Sequence, residues 1–177
     1  MIHEDHVYLL RPANLNPGGI WADLGAGSGA FTLALRELIG PDAMIYAVDK
    51  DRARLNELEE AYRLRFGASK NLHVLATDFS RSFDLPPLDG ILMANSLHFF
   101  KDKEKILRHV RSFLKPNGIL LPVEYNVDTG NPWVPHPLSF ESFRALAPSA
   151  GFSEPHLLAK RPSSFLKEFY SAVSIRE

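Results

Sequence analysis

The stretch "GGIWADLGAGSGAFTLAL", from Gly18 to Leu35, decides the fold. It passes from a short apolar segment through three alternating glycines into a stretch with helical periodicity. Gly25, Gly27 and Gly29 let the backbone turn sharply and leave no Cβ atoms between that backbone and a ligand. The pattern therefore predicts a strand, a glycine turn and a helix that together approach a ligand. A tight turn without a ligand is the alternative.

Composition limits the classes of protein. The chain has 177 residues and a net charge of −1, which indicates one globular domain without a general attraction to nucleic acid or anionic membranes. It has no cysteine, so disulfides, thiolate metal sites and a cysteine nucleophile are excluded. This composition fits a reducing environment, and we expect a cytoplasmic protein. No apolar run reaches transmembrane length, and the start lacks the pattern of a signal peptide.

Apolar runs alternate with amphipathic stretches along the first two thirds of the chain. The runs predict five strands, at residues 19–25, 43–49, 72–78, 90–96 and 118–125. Helices are expected after Gly29, through Leu55–Phe66 and around Ile106–Leu114. The strands are continuously apolar, which is typical of a parallel sheet covered on both faces. The pattern predicts a single-domain, doubly wound α/β fold with helices on both faces of the sheet.

The last third of the chain has another pattern. Residues 126–138 are rich in proline and polar turn formers and predict a loop. Ser139 is placed to cap a short helix that Pro148 and Gly151 end. Two strand candidates, "HLLAKR" and "FLKEFYSAVSI", then follow with only "PSS" between them. No crossover helix fits in that space, so we expect them to form an antiparallel hairpin.

Three acids at strand ends narrow the choice of ligand. Asp23 stands two residues before the first glycine, where a carboxylate repels a pyrophosphate but suits a cation. Asp49 ends the second strand, about twenty residues after the glycines, where an acid accepts both ribose hydroxyls. Asp78 and Phe79 end the third strand. The acid can accept a hydrogen bond from an exocyclic amine, and the aromatic ring can cover the face of a purine. Together they describe an adenosine with a positively charged, phosphate-free tail, which is S-adenosylmethionine.

With these motifs in order, the sequence resembles the class I (Rossmann-like) S-adenosylmethionine-dependent methyltransferases. "DLGAGSG" matches the first motif of that family, and "YAVDK" and "ATDF" match its second-strand and third-strand acids. "LDGILMANSLHFF", "LKPNGILLPVEY" and "EFYSAVSI" match its fourth, fifth and seventh strands. The resemblance covers residues 20–175. It implies a seven-stranded sheet of order 3-2-1-4-5-7-6 in which strand 7 is antiparallel, and a methyltransferase that uses S-adenosylmethionine.

The resemblance also implies a cofactor site. Its expected members are Asp23, Gly25, Ala26, Gly27, Gly29, Asp49, Lys50, Asp78, Phe79 and Asn95. Asp23 and the backbone of the glycine turn would hold the methionine part, and Asn95 would line the sulfonium side. Asp49 would hold the ribose. Asp78 and Phe79 would hold the adenine.

Lys50 is a departure, because an apolar residue often packs on adenine at that position in the family. The domain is expected to divide into an N-terminal cover segment (1–18), a cofactor-binding core (19–125), a loop over the acceptor site (126–138), and a helix with the terminal hairpin (139–177).

Catalytic residues are harder to predict, because methyl transfer requires alignment and needs a base only when the acceptor loses a proton. His98, Glu124 and Tyr125 are the candidates for a base, and Ser96 also lies at the active edge of the sheet. Members of the family show a similar small–Leu–His stretch without a catalytic histidine, so a structural role for His98 is the main expectation. A role at the rim of the site, or in capping backbone groups, is the main expectation for Glu124 and Tyr125.

The most economical acceptor is a small molecule held beneath the cover segment and the 126–138 loop. Basic residues near the second helix alternate with glutamates, so nucleic acid is unsupported as an acceptor, though neither it nor protein is excluded. His3 and His6 lack an evident third metal ligand, and no metal is expected. The alternatives are a non-catalytic binding subunit of this fold and an NAD-dependent oxidoreductase. The oligomeric state stays open.

Overall fold

The computed structural model describes residues 1–68 and 70–177, in which strands and helices alternate as the sequence predicts. The strands are β1 (Ile20–Leu24), β2 (Met44–Asp49), β3 (Leu72–Ala76), β4 (Leu88–Ala94), β5 (Leu114–Tyr125), β6 (His156–Pro162) and β7 (Glu168–Ile175). The helices are α1 (His3–Leu10), α2 (Ala30–Ile39), α3 (Arg52–Phe66), α4 (Lys103–Arg111) and α5 (Phe140–Leu146).

All seven strands form one sheet in the order β3-β2-β1-β4-β5-β7-β6, so the predicted order is confirmed. β1 to β5 are parallel, and β7 is antiparallel to both β5 and β6. The chain runs outward from β1 to β3 and then returns to β4 on the other side of β1. Such a reversal opens a crevice at the carboxyl ends of β1 and β4, which is where ligands bind in open α/β sheets.

The sheet has an apolar core on each face. The helices α1, α2 and α3 supply one core with residues such as Leu9, Leu35 and Leu58. α4 and α5 supply the other core with residues such as Leu107 and Phe143. The strands between the cores contact apolar side chains on both sides, and this explains why their sequences do not alternate with polar residues.

The N-terminal segment differs from the expected cover. Leu9 and Leu10 of α1 are fully buried against the core. Two polar contacts fix the helix: Ser171 Oγ donates a hydrogen bond to Leu9 O, and Arg161 lies 2.7 Å from the carboxylate of Asp5. Because its apolar side chains face the sheet and α2, α1 is an integral part of the fold.

Three predicted boundaries also shift. β3 ends at Ala76, because Asp78 turns the chain by accepting hydrogen bonds from Ser80. β5 begins at Leu114 and not at the predicted Gly118, and its pairing with β4 is irregular between Leu88 and Gly90. The turn between β6 and β7 is longer than expected and covers residues 163–167, so Phe165 lies in a turn and not in a strand.

Candidate active site

A cavity of about 800 Å³ lies at the carboxyl ends of the central strands. This volume is in the upper part of the range of roughly 300–1,000 Å³ for small-molecule sites. The lining residues are Gly25, Gly27, Asp49, Lys50, Asp51, Arg54, Thr77, Asp78, Phe79, Asn95, Ser96, His98, Phe99, Phe100, Tyr125, Trp133, Val134 and Phe165. The cavity therefore combines residues from the ends of β1 to β5 with two segments of the last third of the chain.

The glycine turn is shaped by close packing. Gly25 has a φ of +88°, and a Cβ placed on it would lie 2.5 Å from Cβ of Ser96. Gly29 has a φ of +89°, and its Cβ would lie 2.5 Å from Cγ of Leu58 on α3. A side chain at either position meets both a steric clash and an unfavourable backbone conformation. Gly25 and Gly27 line the cavity, whereas Gly29 lets α3 pack closely and is not among the lining residues.

Asp49 links the turn to the second strand. Its Oδ2 accepts a hydrogen bond of 2.9 Å from the backbone N–H of Gly27, and its Oδ1 accepts one of 2.9 Å from Asp51. The carboxylate is thereby held at the cavity wall in one orientation. Each of its oxygens retains a lone pair for a further donor.

Asp23 lies inside the protein and not on the cavity wall. Its Oδ2 accepts a 2.6 Å hydrogen bond from the hydroxyl of Thr32 on α2. Burial raises the pKa of Asp23 to about 7, and the charge of Asp49 acts in the same direction. Asp23 therefore does not line the cavity, and its direct contact with a ligand stays a prediction. Ala26 is also absent from the lining residues.

Asp78 and Phe79 lie side by side at the end of β3. The hydrogen bond from the Ser80 hydroxyl to Asp78, 2.6 Å long, is the main cause of the lowered pKa of that carboxyl. The mostly buried ring of Phe79 contacts Phe100 edge to face, with centroids 5.3 Å apart. Lys50 is also on the wall. Asp78 and Lys50 thus give this part of the cavity its charged groups, and Phe79 gives it an aromatic surface.

Asn95 and Ser96 follow β4 and face the glycine turn. Asn95 has a φ of +52°, a left-handed conformation that is uncommon outside glycine. Within the described residues, its Oδ1 and the Oγ of Ser96 are buried without hydrogen-bond partners. Both residues line the cavity, but these two atoms have almost no accessible surface, so a ligand could reach them only if the side chains moved.

His98 and Glu124 form a buried pair. Nδ1 of His98 lies 2.7 Å from Oε2 of Glu124, whose Oε1 accepts the backbone N–H groups of Leu97 (2.8 Å) and His98 (3.2 Å). A carboxylate only accepts, so the neutral imidazole carries its proton on Nδ1 and keeps the lone pair on Nε2. Glu124 is fully buried and does not line the cavity, so it is not at the rim. By accepting the backbone N–H groups of Leu97 and His98 it has the capping role, the other of its two expected roles.

Aromatic residues surround the outer part of the cavity. Tyr125 lies on the wall as expected, but burial, together with the charge of Glu124, raises the pKa of its hydroxyl, which makes it a poor base at neutral pH. Phe99, Trp133 and Phe165 were not singled out by the sequence. Aromatic residues in turn-rich segments are the signal that could have indicated them, because such rings have no core to pack against. Asp51, Arg54, Thr77, Phe100 and Val134 were likewise missed.

The described ranges, 1–68 and 70–177, hold neither a metal-binding group of side chains nor a helix able to cross a membrane. They contain no group of three His, Cys, Asp or Glu side chains arranged to hold a metal ion. His3 instead pairs with Glu37 at 2.8 Å, and His6 packs on Phe31. None of the helices in these ranges has the length and apolarity needed to cross a membrane.

The chain resembles known proteins in sequence and in fold. Acetylserotonin O-methyltransferase of Mus musculus is 30% identical over 179 residues, which is 87% of this chain and 44% of that protein. A SAM (S-adenosylmethionine)-dependent methyltransferase from Aquifex aeolicus superposes with a TM-score of 0.75 at 22% identity and covers 98% of this chain and 90% of its own. Human N-acetylserotonin methyltransferase in complex with SAM superposes with a TM-score of 0.71 at 20% identity, and the match covers 97% of this chain and 51% of that protein.

The superpositions show that the sheet and its flanking helices form the class I methyltransferase fold that the sequence predicts. The family model of the methyltransferase domain matches residues 22–120, more than half of the chain, and the chain belongs to this family. The predicted family, fold and methyl donor, S-adenosylmethionine, are thus confirmed at the level of the family. The chain spans less than half the length of the mouse relative.

Proposed function

We propose that this chain transfers a methyl group from S-adenosylmethionine to a small-molecule acceptor. The observation that carries the proposal is the carboxylate of Asp49, which Gly27 and Asp51 hold in one orientation on the cavity wall in a member of the methyltransferase family. The mouse relative is named for a small molecule, acetylserotonin, which supports this class of acceptor. A cytoplasmic location is part of the same proposal.

The residues at the charged part of the cavity fit the donor. Gly25, Gly27 and Asn95 line the cavity, so the backbone of the glycine turn can hold the methionine part of the donor beside Asn95. The oriented carboxylate of Asp49 has lone pairs for the ribose hydroxyls. Asp78 and Phe79 offer an acceptor and a ring face to the adenine. Asp23 has an indirect role: its hydrogen bond with Thr32 fixes the glycine turn relative to α2, and its carboxyl group does not contact the donor.

When bound, S-adenosylmethionine supplies a methyl group that its positive sulfur has already activated. The protein excludes water with the aromatic residues of the outer cavity and holds the acceptor in line. For an acceptor with a hydroxyl, Nε2 of His98 would take the proton of that hydroxyl as its oxygen receives the methyl group, with S-adenosylhomocysteine left as the other product. Glu124 is a positioning residue that fixes the tautomer of His98.

A calorimetric titration with S-adenosylhomocysteine tests the donor site directly. We expect a dissociation constant in the micromolar range and no comparable response to NAD. Tight binding of NAD without a response to S-adenosylhomocysteine would favour an oxidoreductase and contradict the proposal.

Turnover requires a second measurement. Transfer of a labelled methyl group from S-adenosylmethionine is screened against small metabolites, with RNA and protein pools as controls. Label in a small molecule supports the proposed acceptor class. Label only in a macromolecular pool contradicts it, and binding of the cofactor product without any transfer favours a binding subunit.

A further inference from the structure

The charges of the cavity are confined to one end. The charged end consists of Asp49, Lys50, Asp51, Arg54 and Asp78. The aromatic end consists of Phe99, Tyr125, Trp133 and Phe165, with His98 at its base. Within the described part of the chain, no Asp, Glu, Lys or Arg lines the aromatic end. A charged ligand placed there would lose its hydration without gaining an ion pair.

The rings of the aromatic end come from separate segments and meet across the cavity. Trp133 lies in the loop after β5, and Phe165 lies in the turn between β6 and β7. Their ring centroids are 6.2 Å apart at an interplanar angle of 79°, and Phe165 is 5.9 Å from the ring of Tyr125. Such edge and tilted contacts leave ring faces free for a further aromatic partner.

These free faces are unusually exposed for large aromatic residues. The exposed fractions are 71% for Trp133, 59% for Phe99 and 49% for Phe165. Exposed apolar residues that are clustered, and not scattered singly, mark a binding surface. Here the cluster lines a cavity, which indicates a small ligand.

The Trp133 loop is held in place before any ligand binds. Oδ1 of Asn131 accepts the backbone N–H groups of Trp133 and Val134, each at 2.9 Å. The backbone N–H of His136 donates to the carbonyl of His98 at 3.0 Å, which ties the loop to the segment that carries the imidazole. The position of Trp133 relative to His98 is therefore a feature of the fold, and an ordered site of this kind favours one shape of ligand.

We propose that the aromatic end binds an uncharged, planar aromatic ring of the methyl acceptor, with Trp133 and Phe165 as its specificity-determining residues. This inference rests on the proposed function and names the acceptor class of the same site. Because the two rings are nearly perpendicular, a flat ring can stack on the free face of one of them and meet the other edge to face. A saturated ring of similar size makes neither contact as closely. The ring then presents its substituent toward His98.

Ligand-observed NMR titrations with three probes of similar size test this proposal. The probes are 2-naphthol, its saturated counterpart decahydro-2-naphthol, and the anion 2-naphthoate, each added to the protein with and without S-adenosylhomocysteine. We expect 2-naphthol to bind at least tenfold more tightly than either of the others. Equal affinities for 2-naphthol and the saturated probe would overturn the preference for a planar ring, and tighter binding of 2-naphthoate would overturn the preference for an uncharged one.

Variants assign the effect to the named rings. Trp133→Ala and Phe165→Ala should each weaken binding of 2-naphthol about fivefold to tenfold, and Trp133→Phe should retain most of it. Tyr8→Ala removes an exposed ring of α1 that does not line the cavity, and it should leave the affinity unchanged. Unchanged affinity in both alanine variants of the aromatic end would contradict the assignment.

The same titrations separate this inference from the proposed function. S-adenosylhomocysteine that fails to bind the wild-type protein contradicts the proposed function, whatever the probes do. Intact binding of S-adenosylhomocysteine in Trp133→Ala, together with lost binding of 2-naphthol, supports both. Intact binding of S-adenosylhomocysteine without a preference among the probes contradicts the aromatic acceptor alone.

Discussion

The hydroxyl of Thr32 donates a 2.6 Å hydrogen bond to the carboxyl group of Asp23, and both side chains are buried beneath the glycine turn. This bond replaces only part of the hydration that the carboxyl group has lost. Burial consequently raises the pKa of Asp23 from 3.8 to about 7. Asp23, the acid of the glycine motif, is therefore only partly ionised near neutral pH, and its contribution to stability depends on pH.

The first prediction concerns Asp23→Asn, which preserves an oxygen for Thr32 and cannot ionise. In the wild type the folded protein keeps the proton of Asp23 up to about pH 7, whereas the unfolded chain loses it above about pH 4. The contribution of Asp23 to the free energy of unfolding therefore falls as pH rises from about 4 to about 7 and is constant above pH 7. The free energy of unfolding of the variant relative to the wild type should therefore increase by about 2–3 kcal/mol between pH 5 and pH 8. Urea unfolding of both proteins at the two pH values measures it. An equal difference at both pH values would show that Asp23 is ionised throughout.

The second prediction concerns the contact between Gly25 and Ser96. Gly25→Ala places a Cβ 2.5 Å from Cβ of Ser96 at a φ of +88°, so the variant combines a clash with backbone strain. Gly67→Ala is the matched control, because its φ is +78° and its Cβ would meet no atom of the described residues within 4 Å. We expect Gly67→Ala to lose about 1–2 kcal/mol from the backbone alone and Gly25→Ala to lose clearly more.

Thermal unfolding compares the two variants, and a double variant identifies the cause. Ser96→Gly removes the side-chain atom that the Cβ added by Gly25→Ala would meet. The double variant should therefore recover part of the stability that Gly25→Ala loses, when it is compared with Ser96→Gly alone. If Gly25→Ala and Gly67→Ala are equally stable, the turn relaxes without contacting Ser96, and its close packing is not a constraint.

Much of the fold could be predicted from the sequence because parallel strands covered on both faces are continuously apolar, and the glycine turn marks where β1 ends. The positions of Asp49, Asp78 and Asn95 at the cavity follow directly from that frame. The role of Asp23 could not be predicted, because the direction of its side chain depends on Thr32, nine residues away on α2. Phe165 was missed since its apolar neighbours resemble a continuing strand, whereas the chain turns there.

The third prediction concerns Asp49, whose carboxylate accepts the backbone N–H of Gly27 and of Asp51. Asp49→Ala removes both the proposed ribose acceptor and the contact that orients the glycine turn. We expect the affinity for S-adenosylhomocysteine to fall at least tenfold in calorimetry, because two good hydrogen bonds to a charged group are lost. Asp42→Ala, an exposed acid before β2, is the matched control. Equal affinity in the two variants would remove Asp49 from the donor site.

The last prediction separates the two roles considered for His98. Glu124→Gln preserves the size of the side chain, and its Oε1 can still accept the N–H groups of Leu97 and His98. Its amide nitrogen then donates to Nδ1, which moves the imidazole proton to Nε2 and removes the lone pair that a base requires. If His98 accepts a proton from the acceptor, kcat should fall about 10²-fold or more in both Glu124→Gln and His98→Gln. KM and the affinity for S-adenosylhomocysteine should change little, and His156→Gln, on the exposed side of β6, should match the wild type. An unchanged kcat in Glu124→Gln, measured with an acceptor from the labelled-methyl screen, would assign the pair to the structure of the Leu97–Phe99 turn alone.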